Sequence, residues 1–370
     1  MSARLNVFYR IRGDASSIEA RAQAIAVEQS VEMPLAAIHD PGILSGIVGQ
    51  VAAIEDRGDG WFDLRIDLAM ATVGDDAGQL INMLFGNTSL HEDVILHDFM
   101  APDDLLAAFG GPGHGVAGLR RRAKAEGRAL TSSALKPQGL PASELAQLAF
   151  ALALGGLDII KDDHGLANQS YSPFADRVRA CAAAVRKAAA DSGKPTRYAP
   201  SLSGSLDEMR RQIGIARDEG LDTVLIAPVV GGLSNFQALR RSNPDFVFLA
   251  HPTMSGAAIS PALFAKLFRL IGADASIFPN HGGRFGYSVA TCKGISEALL
   301  GAWGGLAPSL PVPAGGMTLA RVPEMLDYYG RDAMLLIGGA LLAAPQEAIA
   351  KETESFVRAV AEYDYGRVRA

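Results

Sequence analysis

Cysteine is almost absent: Cys181 and Cys292 are the only two in 370 residues. They stand far apart, in segments that read as amphipathic helices, which argues against a disulfide framework and for a reducing compartment. No uninterrupted apolar run reaches the length a bilayer requires, and no basic-then-apolar leader opens the chain. The expected location is the cytoplasm, with no membrane partner. Lysine and arginine (34) are outnumbered by aspartate and glutamate (40), for a net charge of −6. That balance removes the general electrostatic ground for binding nucleic acid. The one basic cluster, Arg120, Arg121, Arg122 and Lys124, reads as a solvated helix face. With 49% apolar and 20% charged residues the composition is that of a globular protein, long enough for a large domain and a smaller one.

What is abundant is alternation. From about residue 130, short apolar runs and helical patterns succeed one another eight times. The runs are 129–137, 157–164, 196–204, 222–230, 245–253, 275–282, 309–316 and 332–340. Helical stretches lie between them, at 142–154, 175–190, 206–219, 261–271 and 345–361. Eight strand–helix units over about 250 residues predict an α/β fold of the (β/α)8 TIM-barrel type. An open doubly wound sheet competes, but it needs fewer strands and a phosphate fingerprint after the first, which this chain lacks.

The first 120 residues read differently. Residues 5–11, 61–69 and 94–99 alternate as strands, while 15–28 and 78–84 look helical, which predicts an α+β, ferredoxin-like unit with helices on one face. The expected domains are 1–120 and 121–370, with the boundary in the Gly- and Pro-rich stretch 110–118. Inside it, Gly113-His114-Gly115-Val116-Ala117-Gly118 spells a dinucleotide fingerprint. It follows a helical pattern rather than a strand, so it reads as a linker.

The chemistry concentrates where barrel strands end, the usual place for active sites in this architecture. The second apolar run of the barrel closes with Lys161-Asp162-Asp163-His164, a lysine among three potential metal ligands. Strand alternation sends Lys161 and Asp163 to one side and leaves His164 to begin the loop, so oxygen and imidazole donors converge. A strand-end salt bridge is the alternative. The other runs end in Lys136-Pro137-Gln138-Gly139, in His251, in Asn280-His281-Gly282-Gly283-Arg284, in Ala314-Gly315-Gly316 and in Gly338-Gly339. Glycine pairs after the last two strands match a phosphate cradle and imply a phosphorylated small molecule, although either pair alone would read as a tight turn. His251 and His281 could be satisfied polar groups, and Lys136 could snorkel from the barrel mouth. A lysine desolvated beside a divalent cation would suit proton transfer near neutrality. His91, His97 and His114 are assigned no chemistry.

These strings together resemble the ribulose bisphosphate carboxylase (RuBisCO) superfamily across nearly the whole chain. The carriers are Phe109-Gly-Gly-Pro-Gly-His-Gly-Val116 with Arg128, Leu135-Lys-Pro-Gln-Gly-Leu140, and Gly155-Gly-Leu-Asp-Ile-Ile-Lys-Asp-Asp-His164. Phe85-Gly-Asn87, Ala314-Gly-Gly316 and Ile337-Gly-Gly339 complete the set. The resemblance implies an obligate homodimer in which one subunit's N-terminal domain covers the other's barrel mouth. It makes Lys161 the lysine that CO2 converts to a carbamate and, with Asp163 and His164, a site for Mg2+. Lys136 becomes the enolisation lysine, with His251 and His281 as further catalytic candidates. Asn87, Arg284, Gly315, Gly316, Gly338 and Gly339 fall to substrate and phosphate.

The departures narrow the activity. Carboxylases carry a second lysine where Gln138 stands, and a mobile-loop lysine that is lacking after His281, with Ser288 seven residues on. An arginine expected after the strand-five histidine is Pro252, and a Thr-Trp pair is Met33-Pro34, while Glu28 matches a family glutamate. The resemblance is thus to type IV, RuBisCO-like proteins that enolise a ketose phosphate without fixing CO2. His164 replaces the usual metal-binding glutamate, and imidazole would tilt the site towards Mn2+, Co2+ or Zn2+ without abolishing Mg2+. The implied activity is isomerisation of 5-methylthioribulose 1-phosphate. Alternatives are the 2,3-diketo-5-methylthiopentyl 1-phosphate enolase and the 3-oxo-isoapionate 4-phosphate hydrolase or transcarboxylase. A rival of another class is a decayed barrel serving as a sulfur- or redox-responsive binding protein.

Overall fold

A period-two pattern builds the first strand: in β1 (Arg4–Arg12), Leu5, Val7, Tyr9 and Ile11 are buried and their neighbours are not. The computed structural model describes residues 3–366. β1 lies between β3 (Trp61–Ala69) and β4 (Val94–Met100), and β2 (Gln50–Gly58) flanks β3, giving an antiparallel sheet of order β2-β3-β1-β4. Helix Ile18–Glu28 packs Ile18, Ala22, Ile25 and Ala26 beneath it. This is the ferredoxin-like order. β2 escaped the sequence because it is an edge strand: only Val51, Ala53 and Ile54 are partly buried, and Glu55-Asp56-Arg57 break the apolar alternation.

The second sheet is parallel and closes on itself. Its strands are β5 (Leu130–Leu135), β6 (Ile159–Asp162), β7 (Arg197–Ala199), β8 (Ser201–Leu202), β9 (Thr223–Ile226), β10 (Val247–Ala250), β11 (Ala275–Pro279), β12 (Leu310–Ala314) and β13 (Met334–Leu336). β7 pairs with β6 and β8 with β9, and only Pro200 separates the two. Proline carries no backbone N–H for the ladder, so one physical strand is read as two and the barrel has eight. Leu130, Ile159, Ala199, Leu225, Val247, Leu249, Ile277, Val312 and Leu336 fill the interior, while Ile160, Tyr198, Val224 and Phe248 face the helices. All eight predicted runs contain a strand, and helices Ala142–Leu154 and Pro261–Ile271 coincide with the expected spans.

Two expectations are corrected. The stretch read as a linker is in part helix Gly115–Ala123, whose Val116, Leu119 and Ala123 join the interior cluster and plug the N-terminal end of the barrel. Its glycines answer to packing: Gly115 has φ +54°, and a Cβ there would come within 2.5 Å of the Pro308 carbonyl oxygen. The Asp274 carboxylate accepts from the N–H groups of His114 and Gly115, both at 2.7 Å. Nor is the basic cluster simply a solvated face. Arg120 is buried and donates to the carbonyls of Ala125, Glu126, Arg128 and Arg331 and to Asp332, and half-buried Arg122 pairs with Asp222, leaving Arg121 and Lys124 exposed.

The two sheets are tied through helix Ala77–Phe85, whose first N–H groups donate to Gln237 Oε1 (2.9 Å) and Ser234 Oγ (3.0 Å) on helix Leu233–Ser242. Among the described residues no helix is long and apolar enough to cross a membrane. Cys181 and Cys292 are buried free thiols.

Candidate active site

Strand parity decides who faces the barrel mouth. Ile159 lies in the interior, so Lys161, two residues on, follows it inward, and Asp162 turns outward. Asp162 is therefore not available to a ligand. Its carboxylate is fully buried among Arg177 Nε (3.1 Å), the Tyr198 hydroxyl (2.7 Å) and Ser201 N–H (3.1 Å). That corrects the reading of three potential ligands beside Lys161. The sequence held no signal for Arg177, which anchors β6 from the first turn of helix Phe174–Ser192, on its buried face.

Lys161 is 3% exposed and its Nζ donates to the Asp162 carbonyl oxygen at 3.0 Å. Burial pushes its pKa down to about 8; Asp163 opposes that shift and the charge of Lys136 adds to it. Asp163 Oδ1 lies 2.9 Å from Lys136 Nζ and 3.4 Å from His164 Nδ1. Burial alone would raise the Asp163 pKa, but hydrogen bonds from His164 and Lys136 and the charges of Lys161 and Lys136 hold it well below the usual carboxylate range. The His164 ring stacks on His251, with centroids 4.1 Å apart and planes 13° from parallel. His251 Nδ1 is 2.6 Å from Thr253 Oγ1, and burial, with the charges of Lys161 and His164, lowers its pKa to about 2. Five sequence candidates, Lys136, Lys161, Asp163, His164 and His251, thus form one cluster. Gln138 reaches the loop just after His164: a Cβ on Gly165 would fall 1.8 Å from its Nε2.

His281 belongs to a second group. Its Nδ1 is 3.8 Å from Glu324 Oε1, its ring meets Tyr328 edge-on at 5.0 Å, and its Nε2 is buried without a partner. Arg321 joins this group to the glycines, donating to the carbonyls of His281 (3.1 Å) and Gly316 (3.3 Å) while pairing with Glu324 at 2.9 Å. Gly315 and Gly316 have φ of +81° and +69°, and a Cβ on Gly283 would lie 2.7 Å from the Gly315 oxygen. These glycines let two loops touch. A Cβ added to Gly338 or Gly339 would meet nothing within 4 Å, so this pair borders open space. Arg284 is exposed and lies over Phe285 at 4.8 Å. Asn87 is apart from both groups, donating to Glu28 (2.8 Å) and Glu32 (2.7 Å).

Among the described residues no three His, Cys, Asp or Glu side chains are grouped to hold a metal. Asp163 and His164 offer two donors, and a third would come from Lys161 once its amine carried a carboxylate. Two lysines against one aspartate make the pocket electropositive, and a carbamate on Lys161 would reverse that balance. The donor set then fits a hard divalent cation.

The family described as "Ribulose bisphosphate carboxylase large chain, catalytic domain" matches residues 115–360. The chain is 59% identical over 364 residues to a Rhodospirillum rubrum protein named 5-methylthioribulose-1-phosphate isomerase, covering 98% of this chain and 97% of that one. It is 51% identical to ribulose bisphosphate carboxylase-like protein 1 of Rhodopseudomonas palustris, with 98% of each covered. The crystal structure of a Rubisco-like protein from Rhodopseudomonas palustris superposes with a TM-score of 0.92 at 48% identity, covering 98% of this chain and 99% of that one. A ferredoxin-like sheet, a closed barrel and a lysine–aspartate–histidine cluster at its mouth accord with these likenesses, and the chain belongs to the RuBisCO large-chain family, as a RuBisCO-like protein.

Proposed function

We propose that this chain is a 5-methylthioribulose-1-phosphate isomerase, which enolises its ketose phosphate and returns the proton to a different carbon. The observation that carries this reading is the convergence of Lys136 and Lys161 on Asp163 beneath the stacked His164–His251 pair. The 59% identical relative of that name adds support across nearly the full length.

Lys136 Nζ is the proton carrier at the carbon beside the carbonyl, held by its 2.9 Å contact with Asp163. Lys161, Asp163 and His164 are the set that would hold Mg2+, with CO2 bound to Lys161 as a carbamate; Mn2+ is the nearest substitute. Such an ion, when bound, would polarise the carbonyl and stabilise the enediolate. His251, neutral and half-buried, would donate or accept a hydrogen bond at a substrate hydroxyl without adding charge. His281, with its unpartnered Nε2, faces a second such role. Gly338 and Gly339, open on one side, are the better phosphate candidates, while Gly315, Gly316 and Arg284 contribute from the adjacent loops.

Asn87, Glu28 and Glu32 are gathered on the N-terminal unit, beside the 81% exposed Leu90. This arrangement suits a homodimer in which the N-terminal unit, residues 1–120, covers the partner's barrel, residues 121–370. The buried free thiols suit a cytoplasmic setting.

Incubation in D2O with 5-methylthioribulose 1-phosphate, with and without Mg2+ and bicarbonate, tests the reading. Deuterium should enter the product next to the former carbonyl. Its absence there, with incorporation instead into 2,3-diketo-5-methylthiopentyl 1-phosphate, would assign the chain to the enolases.

A further inference from the structure

His251 stands just past the end of β10 and is still held by the neighbouring strand, its N–H donating to the Ile226 carbonyl at 2.8 Å. Pro252, which follows, has no N–H to continue the ladder. The chain then folds back in a tight turn closed by the Ser255 N–H on the Pro252 carbonyl at 2.9 Å. Within that turn Met254 has φ +64°, a left-handed conformation that is strained for a side chain of this size, and the side chain is 74% exposed. Packing of Met254 does not account for the strain. What the turn accomplishes is to bring Thr253 back onto the His251 ring, with Oγ1 2.6 Å from Nδ1.

The ring is thereby fixed at its backbone by Ile226, on one face by His164 and at one edge by Thr253. Its Nε2 makes no hydrogen bond among the described residues. A neutral imidazole has one N–H donor and one acceptor nitrogen, and burial with the charges of Lys161 and His164 keeps this ring neutral. The Thr253 contact decides which nitrogen is which. N–H···O bonds run at about 2.7–3.2 Å, whereas O–H donors approach to about 2.5 Å, so a separation of 2.6 Å suits the hydroxyl as the donor. Thr253 Oγ1 makes no other hydrogen bond among the described residues, so its proton has no competing acceptor there. Nδ1 accepts, and the imidazole proton sits on Nε2.

We propose that Thr253 is a positioning residue that fixes His251 as its Nε2–H tautomer, so that His251 presents a neutral N–H donor to the substrate oxygen on which enediolate charge develops; this rests on the isomerase reading and decides which of two hydrogen-bond roles His251 takes. A fixed neutral donor stabilises that oxygen more as its charge grows, and it does so without placing a second full positive charge beside Lys161. Proton removal from carbon is left to Lys136.

The test begins with the ligand-free protein labelled with 15N at histidine, where His251 is identified by the signals lost in His251→Asn. The wild-type ring should show an unprotonated Nδ1 and a protonated Nε2. Thr253→Val keeps the side-chain shape without the hydroxyl and should show a mixture of tautomers, whereas Thr253→Ser should keep the wild-type signature. In deuterium exchange on 5-methylthioribulose 1-phosphate, Thr253→Val should lower kcat with little change in KM, because the interaction is made chiefly in the transition state. Loss of a donor to a developing oxyanion costs about 10²–10³-fold, and loss of the group that positions it should cost part of that, about 10- to 100-fold. Thr253→Ser should recover most of the rate. A protonated Nδ1 in the wild-type protein would overturn the proposal, and so would a folded Thr253→Val protein with either an unchanged tautomer or an unchanged kcat. If Thr253→Val does not fold, the wild-type signature and the serine variant decide. No exchange by the wild-type protein would overturn the isomerase reading and the role at the substrate with it, while the 15N signature still judges the tautomer by itself.

Discussion

Lys161 and Asp162 are consecutive on β6 and serve opposite sides of the barrel wall. The amine points into the mouth and, among the described residues, has only a backbone oxygen as its hydrogen-bond acceptor, while the neighbouring carboxylate is turned to Arg177 behind the strand. Burial lowers the Lys161 pKa and the charge of Lys136 adds to that, while the charges of Asp163 and of the turned-away Asp162 oppose the shift without cancelling it.

CO2 uptake at Lys161 should therefore rise with pH through about 8. Only the neutral amine adds CO2, and a pKa near 8 makes it about a tenth of the total at pH 7 and about nine-tenths at pH 9. A carbamate signal from 13C-labelled bicarbonate should grow accordingly, and a flat response would refute the assignment. Stability has a related sign. The folded pKa lies below the ordinary 10.5, so the protonated, buried amine destabilises fully below pH 8 and the penalty is relieved between pH 8 and 10.5. Lys161→Met should raise unfolding free energy by on the order of 2–3 kcal/mol at pH 7 without CO2 or metal, and by little at pH 10.5.

The Arg177–Asp162 pair should be the most sensitive ion pair in the barrel. Both side chains are fully buried, so Arg177→Ala strands a carboxylate and should cost about 3–5 kcal/mol in urea unfolding. Lys187→Ala, which removes an exposed partner of Asp191, should stay within about 0.5 kcal/mol.

Sequence periodicity was enough for the eight barrel strands because each carries a short apolar run bounded by turn residues, and Lys136, Lys161, Asp163 and His251 were legible because charge at a strand end has no packing purpose. The plugging helix Gly115–Ala123 was misread since its glycines imitate a linker; the spacing of Val116, Leu119 and Ala123 was the available clue. Nothing in the local pattern announces Arg177, Arg321 or Glu324. Arg321 and Glu324 are a local i,i+3 pair, but the contacts that matter, Arg177 to Asp162 and Arg321 to the His281 carbonyl, cross loops and strands and exist only once the chain is folded.

His251 should stay neutral from pH 4 to pH 9. Burial and the nearby charges of Lys161 and His164 depress its pKa to about 2, so its imidazole 15N shifts should not titrate in that interval. A midpoint near the ordinary ~6.5 would mean the ring is solvated and the stack with His164 open.

Replacing Lys136 by alanine should slow deuterium exchange sharply while leaving the fold intact, because its side chain is part exposed. General acid–base catalysis contributes about 10²–10⁴-fold, and a loss in that range is expected. Exchange that persists at the wild-type rate would shift the role to His251 or His281.

Arg321 is where stability and activity should separate. One guanidinium holds the carbonyls of His281 and Gly316 and the carboxylate of Glu324, so it sets the spacing of the two loops over the barrel mouth. Its ion pair is partly solvated, with Glu324 about half exposed, so Arg321→Ala should change unfolding free energy by no more than about 1 kcal/mol. A displacement of about 1 Å at reacting groups, by contrast, can lower rates ~10²-fold. We expect kcat/KM to fall by about 10- to 100-fold in Arg321→Ala. Arg321→Lys should recover little, since an ammonium cannot reproduce the planar fork that reaches three acceptors at once. A loss of activity no larger than the loss of stability implies would show the loops to be held by Gly283, Gly315 and Gly316 alone.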